Sequence, residues 1–497
     1  MRFFLGHDLG TGGDKAVLID EQGRLVAHHV ASYPLHHPQP GWAEQDHDDW
    51  WRAVCVCTRA VLSGAAVDPK LVAGVGFAGQ MLSLVALDEQ GSPTRRPIIW
   101  MDARAEEQAR RITRRLGGAT ILQWIAGGSP TGKDLVAKIA WLAEREPDVF
   151  RKTAHFTDAT GYLVARATGS VRIDPTAAGA TGILDARKRQ WSRMLATLVG
   201  FPLDKMPPVA ASTEVAGTLT DASAAELGLL PGAPVAMGMA DIPSAAVGSG
   251  AVGPGEAHVY LGTSSWIGVS VAAPNNVPNA GIASVPSAGR SGCLMIGESE
   301  TAGACREWFE SQVGTGGAGE SLDDLAAGSR PGARGLLFLP WMYGERSPVP
   351  DTRVRGGFVN LSLEHQRADL MRALYEGVAL NLRWILDACA SAGEPCPSLR
   401  AIGGGARSDV WLSIIADVTG RRVELVEHPQ QAGAIGAALV AAIATGALGG
   451  IEAVTSSVRV ARSFEPNRAN AGVYARAYEV FRELHAPLSR AARYRGA

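Results

Sequence analysis

The sequence has little excess charge of either sign and no cysteine pattern typical of a metal site. Its 47 Lys and Arg residues nearly balance its 49 Asp and Glu residues, so no broad basic surface for nucleic acid or anionic membrane is expected. Its six cysteines form no CxxC pair and have no histidine partners at zinc spacing. We therefore expect no nucleic-acid partner, no membrane partner, and reduced, unpaired thiols.

Long hydrophobic runs are missing as well. The apolar opening is interrupted at Asp8, before the hydrophobic region of a signal peptide can form. The Ala- and Gly-rich stretch 432–448 is shorter than the roughly 18 apolar residues expected of a membrane-spanning helix. These absences predict a globular cytoplasmic protein. Its 497 residues, 46% of them hydrophobic, can bury large cores without disulfides or a metal.

Glycine, in contrast, is abundant, with 59 residues and neither a collagen period nor a Gly/Ser linker. Three glycine-rich turns follow predicted strands, at 10–13, 262–265 and 403–408. Glycine lets successive backbone N–H groups converge on an anion, and Thr or Ser adds hydroxyl donors. The motif GxxxxGK[ST] is absent, and Lys15 occupies the place of the third Rossmann glycine. The three turns together therefore predict a triphosphate site of another kind.

The chain opens on a strand meander and repeats that pattern about 250 residues later. Strands are predicted at 3–8, 16–20, 25–33, 257–261 and 266–271. Leu-Gly-Thr occurs at 9–11 and again at 261–263, in matching hairpin positions. The repetition predicts two related halves, divided as 1–248 and 249–497. Chance recurrence of a tripeptide in an Ala- and Gly-rich chain is the alternative.

Two acidic residues are suited to phosphoryl transfer. Asp8 ends the first predicted strand beside the first turn, where a carboxylate can hold Mg²⁺ through water, and Lys15 could neutralise terminal phosphate charge. Asp241 follows a run of small and apolar residues, where a carboxylate is costly unless it is paired or functional. Such a carboxylate can accept the proton of an attacking hydroxyl. The alternatives are a turn cap for Asp8, a solvated lysine, and a helix N-cap for Asp241.

Trp100 and Asp102 form a further candidate site at the end of a predicted strand, 97–100. An aromatic platform beside an acid is a common way to hold a polyol, whose apolar face stacks while its hydroxyls hydrogen-bond. A core tryptophan and a helix-capping aspartate are the alternative interpretation.

Together these segments resemble the FGGY carbohydrate kinases, most closely the xylulokinases. The resemblance runs from about residue 3 to 445 and rests on 8–11, 79–81, 100–104, Asp241, 261–264 and 403–408, with further matches at 41–51 and 339–348. It implies an α/β, two-domain ATPase fold of the actin/hexokinase (ribonuclease H-like) type, with a central cleft for sugar and MgATP. ATP and Mg²⁺ are therefore the expected cofactors.

The resemblance also implies roles for individual residues. Asp8 would hold magnesium, and Asp241 would be the general base. Contact with the sugar is implied for Gln80, Met81, Leu82, Trp100, Asp102 and Asp241. Contact with ATP is implied for Gly10, Thr11, Gly12, Gly262, Thr263, Gly404, Gly405 and Ser408, joined by Lys15.

Two positions depart from the xylulokinase pattern. Leu82 stands where histidine is usual, and Ile242 stands where asparagine follows the catalytic acid. Both substitutions replace polar sugar contacts with apolar side chains. A site that hydrogen-bonds a sugar hydroxyl loses much of its substrate discrimination when the hydrogen-bonding group is removed. We expect an ATP-dependent kinase of a ketose such as D-xylulose, serving xylose metabolism. A kinase of another polyol or ketose, and a non-catalytic sugar- or nucleotide-sensing protein, are the alternatives; homodimerisation is left open.

Overall fold

The structure is a computed structural model and describes residues 1–118, 130–314 and 321–492. Its strands are Phe3–Leu9 (β1), Gly13–Asp20 (β2), Leu25–Ser32 (β3), Val72–Gly79 (β4), Val85–Leu87 (β5), His155–Thr157 (β6), Leu184–Asp185 (β7), Gln190–Trp191 (β8), Val215–Thr218 (β9), Pro234–Ala236 (β10), Met239–Ala240 (β11), Ala257–Leu261 (β12), Ser265–Val271 (β13), Ala283–Pro286 (β14), Cys293–Ser299 (β15), Leu337–Leu339 (β16), Gly357–Val359 (β17), Ser398–Ile402 (β18), Arg422–Val426 (β19) and Val460–Phe464 (β20).

The described helices pack on and between the sheets. They are His47–Ala65 (α1), Glu106–Arg115 (α2), Leu135–Arg145 (α3), Pro147–Lys152 (α4), Ala159–Thr168 (α5), Pro175–Gly179 (α6), Arg193–Val199 (α7), Asp221–Leu227 (α8), Asp241–Ser249 (α9), Gly303–Gln312 (α10), Leu322–Ala327 (α11), Arg367–Ser391 (α12), Asp409–Thr419 (α13), Ala432–Ala444 (α14), Val454–Ser457 (α15), Ala471–Glu483 (α16) and His485–Ala491 (α17).

Two large sheets share one strand arrangement. In the first, the antiparallel meander β3-β2-β1 continues into β4 and β10, which run parallel to β1, and then into antiparallel β9. In the second, the antiparallel strands β14-β15-β13-β12 continue into parallel β18 and β19 and then antiparallel β20. The duplicated order confirms the two related halves predicted from the repeated Leu-Gly-Thr hairpins.

Helices α9 and α14 join the two sheets. Helix α14 comes from the second half of the chain but packs on β1 and β4 of the first sheet and beside α9. The approach is so close that a Cβ on Gly6 would overlap the carbonyl of Ala434. The small residues of α14 permit this contact. The division predicted after Gly248 falls in the last turn of α9 and stays a prediction.

Most predicted elements are confirmed, with one exception at the edge of the sugar segment. The predicted strand 97–100 does not form: Ile98 makes only isolated bridges to Glu44 and Leu84. Pro97 precedes it and has no backbone N–H to donate to a ladder. All six cysteines are free, as expected. Among the described helices, none combines the length and the apolar composition needed to cross a membrane.

Candidate active site

The two predicted phosphate turns are hairpin turns of matching design. Gly10 N–H donates to the Gly13 carbonyl at 3.0 Å, and Gly262 N–H donates to the Ser264 carbonyl at 2.9 Å. Gly12 and Thr263, at the two tips, are exposed. Each turn connects the first two strands of its own sheet, so the duplicated topology gives two loops with exposed tips. Backbone N–H groups and hydroxyls at such tips are the donors that an anionic phosphate needs.

Hydrogen bonds from neighbouring segments support both turns at Thr11 and Thr263. The Thr11 carbonyl accepts from Gln45 Nε2 at 2.7 Å, and its hydroxyl accepts from Trp100 Nε1 at 2.8 Å. The Thr263 carbonyl accepts from the backbone N–H groups of Ala302 and Ala304, at 2.9 and 3.0 Å, where α10 begins. Rigid support of this kind fixes loop groups before a ligand binds.

Asp8 lies in β1 opposite Lys15 in β2. The Lys15 Nζ atom is 3.8 Å from Asp8 Oδ2. Burial raises the pKa of Asp8 above its usual range, and Lys15 opposes that shift. The pKa of Lys15 is raised chiefly by Asp8 and further by Tyr260 and Asp241, so this lysine stays positively charged at neutral pH.

Asp8 also lies against the first turn of α14. A Cβ on Gly433 would be only 2.5 Å from Asp8 Oδ2, so only glycine lets the helix approach the carboxylate this closely. The positive end of the helix dipole favours the ionised form. An oxygen ligand that is half-buried and has one cation at 3.8 Å fits Mg²⁺ held partly through water.

Asp241 begins α9, directly after β11. Its Oδ1 accepts the backbone N–H groups of Met81 at 3.2 Å and Ile242 at 2.9 Å. Burial raises its pKa to about 7, and the charge of Asp8 is the second cause. The alternative interpretation of Asp241 as a helix N-cap is not seen, because Ala240 occupies the N-cap and Asp241 is the first helical residue.

The sugar segment predicted at 80–82 adjoins the base. Gln80 is buried; its Nε2 donates to Gln45 Oε1 at 2.7 Å, while its Oε1 is a buried acceptor with no partner among the described residues. Met81 packs in a small apolar cluster with Ile242 and Trp266. Leu82 adopts a positive φ of 59°, a conformation that long side chains rarely take.

The departure at Ile242 has a packing role. Its side chain is 7% exposed and contacts an apolar cluster with Leu294 and Ile296 of the second sheet. It therefore seals the contact between the halves instead of offering a hydrogen bond to a sugar hydroxyl.

Trp100 and Asp102 face different surroundings. Trp100 is half-buried and hydrogen-bonded to Thr11, with Lys133 Nζ 5.9 Å from its ring centroid. The Asp102 side chain is fully buried and binds Arg104 through Nε and Nη2 and the Ala43 N–H at 2.6 Å. In this conformation Asp102 orders the chain around Trp100, and its predicted contact with the sugar stays a prediction.

The third glycine turn lies after β18. Gly404 is exposed, and Gly405 forms part of a short 3-10 turn. Ser408 is buried and caps α13, accepting from the Trp411 N–H at 3.0 Å. Gly404 therefore has the open surface that an adenosine pocket needs, whereas the Ser408 hydroxyl is engaged in the helix cap.

Several residues around the candidate site escaped sequence reasoning. Tyr260 stacks on Trp266 with ring centroids 3.8 Å apart and lies near Lys15. Gly433 touches Asp8 from more than 400 residues away. The buried Lys138 donates from Nζ to the carbonyls of Leu82 and Ile99, both at 2.8 Å. No local sequence pattern links such distant partners.

Comparison with known proteins agrees with this architecture. Models of the FGGY family of carbohydrate kinases match residues 3–248 (N-terminal domain) and 257–445 (C-terminal domain). The xylulose kinase of Bacillus subtilis (strain 168) is 30% identical over 490 residues, 98% of this chain and 97% of that protein.

Solved structures give the same result. A xyloylose kinase from Brucella ovis has a TM-score of 0.89 at 32% identity, covering 98% of this chain and 99% of that one. A gluconate kinase from Lactobacillus acidophilus also has a TM-score of 0.89, at 26% identity, covering 98% of each chain.

The duplicated fold and these comparisons define an ATP-dependent sugar phosphotransferase with two α/β domains. The chain belongs to the FGGY family of carbohydrate kinases. Members of this family use ATP with Mg²⁺, which confirms the cofactors that the resemblance implied.

Proposed function

We propose that this kinase phosphorylates a hydroxyl group of a ketose, with D-xylulose as the first substrate to test and Asp241 as the general base. The observation that supports it most is the position of Asp241. It lies at the end of the first sheet beside Asp8 and the sugar segment, with a pKa raised to about 7. A base with a pKa near the working pH transfers protons efficiently.

The hydrogen bonds of Asp241 distinguish the roles of its two carboxylate oxygens. Both described bonds, from Met81 and Ile242, end on Oδ1 and fix the plane of the carboxylate. Oδ2 is then the oxygen that accepts the proton of the sugar hydroxyl as the hydroxyl oxygen attacks phosphorus. ATP would supply the phosphoryl group, and the Mg²⁺ bound with it would offset the negative charge of the phosphates.

The other residues hold the reactants. Asp8 would hold the magnesium ion, and Lys15 beside it adds fixed positive charge near the phosphate turns. The turns 10–13 and 262–264 offer backbone N–H groups to the phosphates from opposite domains. Gly404 and Gly405 would lie against the adenosine. Gln80, whose Oε1 is a buried acceptor with no described partner, would accept a hydrogen bond from the sugar.

Similar structures include a gluconate kinase, so the substrate has to be identified among several sugars and sugar acids. A coupled assay of ADP release tests it with a panel of pentuloses, hexuloses, pentitols, glycerol and gluconate. We expect D-xylulose or a related ketose to give the highest kcat/KM, and ³¹P NMR of the product identifies the phosphorylated hydroxyl.

Asp241→Asn is the matched variant for the base, because it keeps the size of the side chain. It should lower sugar-dependent turnover by about 10²- to 10⁴-fold while ATP binding stays nearly unchanged. Near-normal turnover would contradict the role of Asp241. If no compound of the panel stimulates the unmodified chain, a sensing protein on the same fold becomes the better explanation.

A further inference from the structure

The two residues before the base are held by a pair of buried threonines. Met239 and Ala240 form β11, the short strand that leads into Asp241. Thr160 Oγ1 donates to the Met239 carbonyl at 2.9 Å, and Thr176 Oγ1 accepts the Ala240 N–H at 2.9 Å. Both threonines are fully buried, so water does not compete for these bonds.

The hydroxyl of Thr176 has one available orientation. It donates its proton to Asp174 Oδ1, so an oxygen lone pair is directed to the Ala240 N–H. Asp174 also accepts the backbone N–H of Thr176 at 2.7 Å and caps α6. The chain of bonds from Asp174 through Thr176 to Ala240 therefore ends one residue before the base.

Thr160 occupies the corresponding position on α5. That helix is capped by Asp158, whose Oδ1 accepts the Gly161 N–H at 2.9 Å. In each case an aspartate caps a helix, and the threonine two residues later reaches β11. The two caps lie near each other: burial raises the pKa of Asp174 to about 7, and the neighbouring Asp158 is the second cause. Both aspartates are fully buried.

On the other side, and within the part of the chain that the structure describes, β11 pairs only with the end of β4, through Ala78 and Gly79. A strand of two residues on one neighbour has few backbone bonds of its own. The position of Asp241 therefore depends on side chains that bond to β11: Thr160 provides a donor and Thr176 provides an acceptor.

We propose that Thr160 and Thr176 are positioning residues that hold the backbone before Asp241 in the geometry needed for phosphoryl transfer. The proposal rests on Asp241 as the base. Removing either hydroxyl takes away a buried hydrogen bond to β11 and lets the strand shift, and a displacement of about 1 Å at a reacting group can cost about 10²-fold in rate.

Thr160→Val and Thr176→Val test the proposal, because valine keeps the branched shape and removes the hydroxyl. We expect each to lower kcat by about tenfold or more while the KM for ATP changes little. Thr160→Ser and Thr176→Ser keep the hydroxyl and should stay within about threefold of the unmodified enzyme. Thr168→Val is the control, since Thr168 lies on α5 but its hydroxyl donates to the Val164 carbonyl and accepts the Ser170 N–H instead of bonding to β11.

The rate is expressed per ATP-binding site, counted by titration with a non-hydrolysable ATP analogue, so that loss of folded protein does not count as loss of catalysis. The proposal is overturned if the valine variants keep normal kcat per site, or if the serine variants are as slow as the valine variants. Asp241→Asn, assayed beside them, separates the two ideas. If it retains turnover, the base assignment fails, and positioning through Asp241 fails with it. If it is inactive while the valine variants are normal, only the positioning role fails.

Discussion

Asp8, in β1, and the strand β11 that leads into Asp241 flank strand β4 on its two sides. Asp8 pairs with Ala78 of β4, while Asp241 directly follows Ala240, which pairs with Gly79. β1 and β11 both run parallel to β4, so their carboxyl ends meet at one edge of the sheet. Ligands of open α/β sheets bind at this edge. The pairing brings a predicted metal ligand and a predicted base together from more than 230 residues apart.

The raised pKa of Asp241 predicts a pH-dependent rate. Burial and the charge of Asp8 place it at about 7, and the base works only when ionised, so kcat should rise as the pH increases through about 7 and level off above it. The measurement is kcat at saturating sugar and MgATP between about pH 5.5 and 9.

The residual kcat of Asp241→Asn should not show this rise through about pH 7. A flat profile for the unmodified enzyme would contradict the assignment, because a carboxyl group with an ordinary pKa is already ionised over that whole range.

Gly433→Ala should impair catalysis without unfolding α14. The new Cβ would lie 2.5 Å from Asp8 Oδ2, so either the carboxylate or the helix must shift. We expect kcat to fall by about tenfold or more and the Mg²⁺ concentration for half-maximal rate to rise. Gly449→Ala is the control, because a Cβ there meets nothing within 4 Å. Equal activity of the two variants would show that the contact with Asp8 is unimportant.

Lys138→Met should change how stability depends on pH. Burial lowers the pKa of Lys138 to about 7 from an ordinary 10.5, so the unfolded chain binds this proton more tightly than the folded one. Its contribution to stability therefore increases as the pH rises from about 7 to about 10.5. Urea unfolding at several pH values should show this increase in the unmodified protein and lose it in the variant.

The same variant should also weaken sugar binding. Lys138 Nζ donates to the carbonyls of Leu82 and Ile99. Leu82 is itself a predicted sugar contact, and Ile99 directly precedes another, Trp100. Without that link we expect a higher KM for the sugar and a nearly unchanged KM for ATP. An increase in both KM values would indicate a general loss of structure.

Arg189 links the two halves of the chain. It lies in the turn between β7 and β8, and its guanidinium donates to the carbonyls of Ser287, Gly289 and Gly292 in the second half. Arg189→Ala should weaken this contact, so small-angle scattering of the ligand-free protein should give a larger radius of gyration, and the KM for the sugar should rise. Exposed Arg187, in the same turn, is the control as Arg187→Ala. Identical scattering of both variants would contradict a role for Arg189 in closure.

Much of the fold was predictable because it depends on local patterns. Alternating and buried strands, the glycine turns between them, and the long apolar stripe from 369 to 390 are short-range features. The repeated Leu-Gly-Thr hairpin predicted the duplication, which the sheet order confirms. The strand predicted at 97–100 failed, because Ile98 forms bridges to separate segments and not a ladder.

The candidate site was predictable in its residue types but not in its contacts. Asp8 and Asp241 could be recognised because burying a carboxylate among apolar residues is costly unless the group is paired or functional. The bond of Asp102 to the Ala43 N–H could not be anticipated, because it joins residues 59 positions apart and forms only in the folded chain. Sequence reasoning assigned Ser408 to ATP and missed its role as the cap of α13.

The sequence by itself determined the class of protein, with two duplicated α/β halves, and it predicted glycine turns for phosphates and two isolated acids for metal and base. Only the tertiary structure decided which groups surround those acids. Gly433, Thr160 and Thr176 reach Asp8 and β11 through parallel strand pairing and the close packing of α9 and α14. These contacts join residues far apart in the chain, so no local pattern of residues specifies them.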